Sequence, residues 1–222
     1  MLLYPHMTLL DLAGPQGVLG LHARTHLLWK TLEPVTADTG IALVPTTTFA
    51  DCPAELDVLF VPGGFGTAAA MNDPEILGFL AARGRQARYV TSVCSGSLIL
   101  AAAGLLDGYE AATHWAAYPV LERLQVKTAH QRVVVDRNRM TGGGVTAGID
   151  FGLTLLAELR GEMVARTTQL MLEYDPKPPF QSGTPETAGH AVTSAVQAMM
   201  QPYDAELMQV VDKVVRERRR AN

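Results

Sequence analysis

Cys94 is the residue whose type and setting first suggest chemistry. It follows residues 88–93, which resemble a buried β-strand, and precedes three small residues, Ser95, Gly96 and Ser97. A cysteine between a strand and a helix is typical of a nucleophile elbow, in which a sharp turn exposes the side chain at the end of a sheet. The N–H groups that begin the helix favour a thiolate and can hold a developing anion. We predict that Cys94 is an exposed thiolate and a nucleophile; the alternative is a small apolar core residue.

Asp11 is the second candidate, because it stands among leucines just beyond a very short first strand. A helix N-cap is the ordinary role for an aspartate. However, Pro15 suits the first position of a helix, which makes Gly14 the cap. A carboxylate without a capping role is costly to bury. We expect Asp11 to face a crevice at the strand ends, where it could share a proton with Cys94 and act as a general acid; the alternative is a hydrogen bond within a loop.

Two further strand ends carry candidate site residues. Gly63 and Gly64 follow the apolar run 56–61 and either offer backbone N–H groups to the crevice or only form a turn. No Lys-Ser/Thr follows them, which excludes a phosphate-binding P-loop. His114 follows a short strand and is either a base for Cys94 or a helix-start or core histidine. Among the six histidines there is no HExxH motif or close pair, which argues against a metal site.

The elements that must position these residues alternate between apolar strands and helices. Run 56–61 is continuously apolar, as is typical of parallel strands covered on both faces, and residues 88–93 are predicted to be the next strand. Hairpins are predicted over 35–46 and 131–141. Helices are predicted over residues 15–22, 73–86, 95–103, 115–123, 146–159, 188–200 and 203–219. This order predicts an α/β fold, a doubly wound and mostly parallel sheet between helices, with its crevice beyond the carboxyl ends of the strands.

The composition changes after residue 174. Residues 175–185 are rich in proline and cannot form a regular element. The two helical stretches that follow are too short for a core of their own. We therefore predict one α/β domain over residues 1–174 and, over 175–222, a proline-rich loop and helical arm packed on the same domain or on a dimer partner.

Charge and hydropathy argue against several classes of partner. The 222 residues carry a net charge of −4, so no general attraction to nucleic acid or anionic membrane is expected. The basic cluster at residues 216–220 is interpreted as a solvated helix end. No apolar run reaches the roughly 18 residues of a membrane helix, and no secretory leader precedes the two cysteines. We expect a cytoplasmic protein with reduced thiols.

Several segments of the chain together resemble the PfpI-type superfamily, cysteine-elbow α/β proteins related to class I glutamine amidotransferases. These segments are "LLDLAGPQGVL", "LDVLFVPGG", "SVCSGSL", "ATHW" and "TGGGVTAGIDFG". Within the superfamily the chain most resembles the isocyanide hydratases, on the aspartate of "LDLAGP" and the proline-rich segment "DPKPPFQSGTP". The resemblance extends to about residue 190.

The resemblance implies a flavodoxin-like fold, a reaction and a set of roles. Cys94 would be the nucleophile and Asp11 the general acid/base, with Gly64, Ser95 and His114 binding the substrate or a developing anion. A small organic isocyanide and water would give an N-substituted formamide through a thioimidate on the cysteine, without a metal or an organic cofactor. Relatives of this type are usually homodimers, which is also our expectation here.

Other functions remain open within the same superfamily. The proteolytic members have a histidine directly after the cysteine, where this chain has Ser95, so a protease is disfavoured. A glyoxalase or amidase could use the same thiol. The domain also serves as a ligand sensor in transcription regulators with a helix-turn-helix module, for which the roughly 40 residues of the arm are too few, and a redox sensor would depend on oxidation of Cys94.

Overall fold

The computed structural model describes residues 1–221, which form a mostly parallel sheet with helices on both sides. The strands are β1 (Leu28–Trp29), β2 (Val35–Thr36), β3 (Ala42–Leu43), β4 (Thr47–Thr48), β5 (Val58–Val61), β6 (Tyr89–Val93), β7 (Glu110–Ala111), β8 (Lys127–Thr128), β9 (Val133–Asp136) and β10 (Arg139–Gly142). The helices are α1 (Leu9–Leu19), α2 (Thr67–Met71), α3 (Pro74–Gly84), α4 (Gly96–Ala102), α5 (Tyr118–Arg123), α6 (Ala147–Arg160), α7 (Glu162–Met171) and α8 (Pro185–Ala221). The predicted fold class is confirmed.

The central sheet has the order β5-β6-β10-β9, in which only β9 runs antiparallel. The first residues of the chain extend this sheet, because the Leu2 N–H donates to the Phe60 oxygen at 2.9 Å and the Leu3 N–H to the Leu28 oxygen at 2.8 Å. That pairing connects β1 and its parallel neighbour β4 to the central strands. The carboxyl ends of β5, β6 and β10 therefore meet at one edge of the sheet.

Burial explains why β5 and β6 were recognisable from their sequence. Leu59, Phe60, Val61, Val90 and Val93 have no exposed surface. Strands covered by helices on both faces need apolar side chains at every position instead of every second one. The two predicted hairpins also form, as the antiparallel pairs β2–β3 and β9–β10.

The first helix differs from its prediction. Helix α1 begins at Leu9, so Pro15 lies inside it and Asp11 belongs to its first turn. The cap comes from the β2–β3 hairpin, where Asp38 Oδ1 accepts the Leu9 N–H at 3.1 Å. A cap from 29 residues away leaves no local signal, and for that reason the start of this helix was placed wrongly at Pro15.

The C-terminal arm also differs, since α8 is kinked near its start and not at residues 201–202, where the gap between the two predicted helices lay. It continues through Pro202 and contains a non-helical residue, Gly189, near its start. The arm packs on the α/β layer: Val211 is fully buried, and Asp212 forms an ion pair with Arg123 at 2.9 Å. Helices α2 and α7 were not predicted.

The basic cluster near the chain end is only partly described. Arg218 pairs with Asp107 at 3.2 Å, so this member is not simply solvated. The side chains of Arg219 and Arg220 lie outside the described residues. Among the described residues, no helix has both the length and the apolar character needed to cross a bilayer.

Replacing Gly96 with alanine should destabilise the protein by about 2–4 kcal/mol. A Cβ at this first residue of α4 would overlap the Val61 carbonyl oxygen of β5 and approach the Pro62 oxygen at 2.8 Å. Gly78→Ala in α3 is the matched control, because no atom lies within 4 Å of its Cβ position. That variant should be stabilised by about 0.5–1 kcal/mol. Urea unfolding of both variants measures the contrast, and equal midpoints would contradict it.

Candidate active site

Cys94 lies at a strained turn between β6 and α4. Its φ is +54°, the left-handed region that side chains avoid. Four hydrogen bonds hold the residue: its N–H donates to the Gly142 and Gly143 oxygens at 3.1 and 2.7 Å, and its carbonyl accepts from Ser97 Oγ at 3.2 Å and Thr113 Oγ1 at 3.0 Å. This is the elbow geometry that the sequence predicted.

Asp11 is a fully buried carboxyl in the first turn of α1. Its Oδ2 accepts the Gly63 N–H at 2.8 Å, whereas its Oδ1 is buried without a hydrogen-bond partner. Burial raises the pKa of Asp11 from 3.8 to about 7, and the nearby charge of Asp38 acts in the same direction. The Gly63 N–H and the Cys94 thiol oppose this rise without cancelling it. Asp11 therefore retains a proton close to neutral pH, as a general acid must.

The thiol of Cys94 and the carboxyl of Asp11 influence each other's pKa. Burial, and then the charge of Asp11, raise the pKa of Cys94 well above its usual value. The N–H and the hydroxyl of Ser95 favour the thiolate, but less strongly. The side chain is only 7% exposed, so the predicted exposed thiolate is not present. The resting residue is a buried thiol, and the two acids together keep a proton at neutral pH.

Gly64 and Ser95 are hydrogen-bonded to each other. The Gly64 N–H donates to Ser95 Oγ at 3.0 Å, so the donor predicted for the crevice is already engaged. The turn before it fits closely against the elbow: a Cβ at Gly63 would lie 2.5 Å from the Ser95 nitrogen and 2.9 Å from the Cys94 Cβ. The glycines are needed for this close approach.

His114 lies next in the chain to a residue that contacts the elbow, Thr113. Its Nδ1 accepts the Ala116 N–H at 3.4 Å, and burial lowers its pKa, so the ring is neutral at neutral pH. Within residues 1–221, no hydrogen bond joins His114 to Cys94 or Asp11. The ionisable side chain that acts on Cys94 is the carboxyl of Asp11.

The sequence pattern did not identify three residues that lie near Cys94: Thr113, Thr67 and Tyr4. Thr113 binds the Cys94 carbonyl, and its place at a strand end before His114 was a usable signal. Thr67 approaches Ser95, while Tyr4 is buried beside Thr67 and donates its hydroxyl proton to the Pro62 oxygen at 2.9 Å. Nothing in the local sequence marks either of these two.

A cavity of about 410 Å³ lies elsewhere, at the amino-terminal ends of β5 and β6. It is lined by Met1, Val58 and Arg88 among others and contains none of the predicted site residues. The predicted site residues lie at the opposite edge of the sheet. No group of three or more His, Cys, Asp or Glu side chains within the described part of the chain could hold a metal ion.

The stability of the protein should depend on pH through Asp11. Its pKa is raised in the folded state, so the stability present below pH 3.8 is lost as the pH rises towards 7. A rise from 3.8 to about 7 corresponds to a loss on the order of 4 kcal/mol. Asp11→Asn cannot titrate, so it should lack this loss and unfold at a higher denaturant concentration than the wild type at pH 8. The prediction would be contradicted if the unfolding midpoints of Asp11→Asn and of the wild type changed with pH in the same way.

The comparisons with known proteins place the chain in a family. The model of the DJ-1/PfpI family matches residues 1–158. The chain is 52% identical over 203 residues to the isonitrile hydratase of Pseudomonas putida, a match that covers 90% of this chain and 89% of the relative. A solved THiJ/PfpI family protein from Pseudomonas syringae superposes with a TM-score of 0.92 at 50% identity, covering 95% of this chain and 88% of that one.

The transcription regulators form a second group of relatives. The chain is 32% identical over 184 residues to the HTH-type transcriptional regulator GbdR of Pseudomonas aeruginosa. That match covers 78% of this chain but 50% of the regulator, so the chain spans about half the length of this relative.

Proposed function

Because the chain belongs to the DJ-1/PfpI family, we propose that its Cys94–Asp11 pair catalyses the hydration of organic isocyanides to N-substituted formamides. Isocyanide and isonitrile name the same group, so this is the activity named for the Pseudomonas putida relative. The observation that carries the proposal is the pairing of a buried thiol with a buried carboxyl whose pKa is about 7. The isocyanide carbon needs both a nucleophile and a proton.

The first step joins sulfur to carbon. As Cys94 attacks the terminal carbon of the isocyanide, the lone pair on that carbon becomes basic and takes the proton that the pair holds. The product is a thioimidate, R–N=CH–S–Cys94, beside an ionised Asp11. A buried thiol of high pKa is suitable here, because its proton is retained until the carbon can accept it.

The second step consumes water. Asp11 removes a proton from water as the oxygen adds to the thioimidate carbon, and it passes that proton to the nitrogen. The hydroxyl proton then returns to the pair while the carbonyl forms and the C–S bond breaks. The formamide leaves, and Cys94 and Asp11 again share one proton. The cycle needs no redox partner, and its net change is the addition of one water.

We assign the remaining predicted residues to supporting roles. Ser95 stabilises the Cys94 thiolate, once it forms, through its N–H and hydroxyl. Gly64 holds Ser95 through its N–H. His114 is a neutral neighbour for the substrate, because its pKa is lowered. In the water step we assign the charge that develops on oxygen to the Ser95 N–H, because the Gly64 N–H is already bound to Ser95 Oγ.

The test is to incubate the purified protein with cyclohexyl isocyanide and to measure the formamide by mass spectrometry. Methylglyoxal and a simple primary amide, supplied under the same conditions, represent the glyoxalase and amidase alternatives. Formamide production with no turnover of the other two substrates is expected. Turnover of methylglyoxal alone would refute the proposal, and turnover of none would favour a ligand or redox sensor.

We also propose a homodimer in the cytoplasm. The dimer is supported by exposed apolar side chains on α7, of which Met163 is 74% and Leu170 81% exposed. Residues 175–222 are then an arm of the domain formed by 1–174. The compartment follows from the need to keep Cys94 reduced. Light scattering tests the assembly, and a monomeric mass would refute it.

A further inference from the structure

A chain of buried hydroxyl groups leads to Cys94 from behind Ser95. Thr67 Oγ1 lies 2.8 Å from Ser95 Oγ and 3.4 Å from the Tyr4 hydroxyl. Thr67 and Tyr4 are each 1% exposed and Ser95 is 8% exposed. Buried hydroxyls must satisfy one another, so the position of each proton is constrained by its neighbours.

Because each hydroxyl has one proton, the donor in each of these hydrogen bonds can be assigned. Tyr4 donates to the Pro62 oxygen, and Thr67 Oγ1 donates to the Gly64 oxygen at 2.6 Å. Thr67 has a single hydroxyl proton, so in its contact with Ser95 it must accept. The Ser95 proton is thereby directed at Thr67, away from the sulfur, while Ser95 Oγ accepts from the Gly64 N–H.

When Cys94 becomes a thiolate, the hydrogen bond between Ser95 and Thr67 reverses its donor and acceptor. The negative sulfur attracts the Ser95 proton, and Thr67 then turns its own proton from the Gly64 oxygen to Ser95 Oγ. The Gly64 oxygen does not lose its last partner, because the Thr67 N–H also donates to it at 3.1 Å. The reversal therefore costs about one neutral hydrogen bond.

We propose that Thr67 is a positioning residue that acts on Cys94 through Ser95, holding the Ser95 proton away from the resting thiol and releasing it when the thiolate forms. The proposal rests on the nucleophilic role of Cys94 in the proposed function. It extends that role, because it makes the ionisation of Cys94 depend on a residue that does not touch the sulfur. Thr67 restrains the thiol, so removing its hydroxyl should make Cys94 more acidic.

The test follows alkylation of Cys94 by iodoacetamide across pH, with peptide mass spectrometry to separate Cys94 from Cys52. Thr67→Val keeps the shape of the side chain but loses the competing acceptor. Its alkylation at pH 7 should be about three- to tenfold faster than that of the wild type, with the profile shifted to lower pH. Thr67→Ser keeps the hydroxyl and should restore the wild-type profile.

The shift of the alkylation profile along the pH axis separates this role from a merely structural one. A loosened elbow would expose the buried thiol and raise the alkylation rate at every pH, without moving the pH profile. A profile that does not shift to lower pH in Thr67→Val therefore overturns the proposal. In a Ser95→Ala background Thr67→Val should have no further effect, and a persistent effect would also overturn it. Iodoacetamide alkylation needs no isocyanide, so the shift can appear even if the protein fails to hydrate isocyanides, which would refute only the proposed function.

Discussion

Replacing Cys94 with alanine should reduce formamide production by at least about three orders of magnitude, to the uncatalysed background. The reason is that no other nucleophile replaces it: Cys52, the other cysteine, stands in a different part of the chain, and Ser95 uses its hydroxyl within the Thr67 and Gly64 network. The measurement is the rate of formamide formation from cyclohexyl isocyanide. If Cys94→Ala still formed formamide faster than the background, the covalent mechanism would be wrong.

The matched control for this experiment is Cys52→Ala. Cys52 is 4% exposed, and its thiol points to the Pro53 oxygen at 3.6 Å, so it has no part in the proposed cycle. Its loss removes a buried sulfur and should cost only modest stability, on the order of 1 kcal/mol, with turnover kept. If both variants lost activity to the same extent, the loss would reflect folding and not the loss of a nucleophile.

Asp11→Asn should lower turnover by about two to four orders of magnitude. Asparagine can still accept the Gly63 N–H through its Oδ1, so the turn is kept while the transferable proton is lost. The same change removes the negative charge that raises the pKa of Cys94. Alkylation of Cys94 by iodoacetamide should therefore become faster while hydration of isocyanide becomes slower.

These opposite effects, together with the alkylation of Cys52 as a control, separate the loss of the acid from a loss of structure. A variant that had only lost its structure would expose both buried cysteines, so Cys52 would then be alkylated faster as well as Cys94. In Asp11→Asn the alkylation of Cys52 should stay at the wild-type rate. A variant that kept its hydration rate would show that Asp11 is not the acid. Asp11→Glu is the conservative comparison, because it restores the proton but lengthens the side chain at a fully buried position. Partial activity is expected from it.

The parts of the fold that were predictable share one property: their signal is local. The apolar run of β5 follows from burial on both faces, and the β9–β10 hairpin follows from its turn, where Arg137 has a φ of +55°. Helix α3 was also recognisable, because the Asp73 side chain caps it from the adjacent position. In each case the neighbours in sequence are the neighbours in space.

The parts that were not predictable depend on distant contacts. Helix α1 begins six residues before Pro15 because Asp38 caps it from the hairpin. Helix α8 continues through Pro202, where a break was predicted, and buried Val211 anchors it on the domain. Packing of this kind overrides local propensity, which is a weak influence by comparison.

For the site, the sequence by itself determined the types of group and the elbow, since a lone cysteine between a strand and a helix and an aspartate without a capping role stand out against their surroundings. Only the tertiary structure decided their protonation. Burial, together with the closeness of Cys94 and Asp11, makes the resting cysteine a buried thiol beside a carboxyl of raised pKa. The sequence predicted a shared proton but an exposed thiolate. The physical reason is that a pKa depends on desolvation and on neighbouring charges, and residues 83 positions apart meet only after the chain has folded.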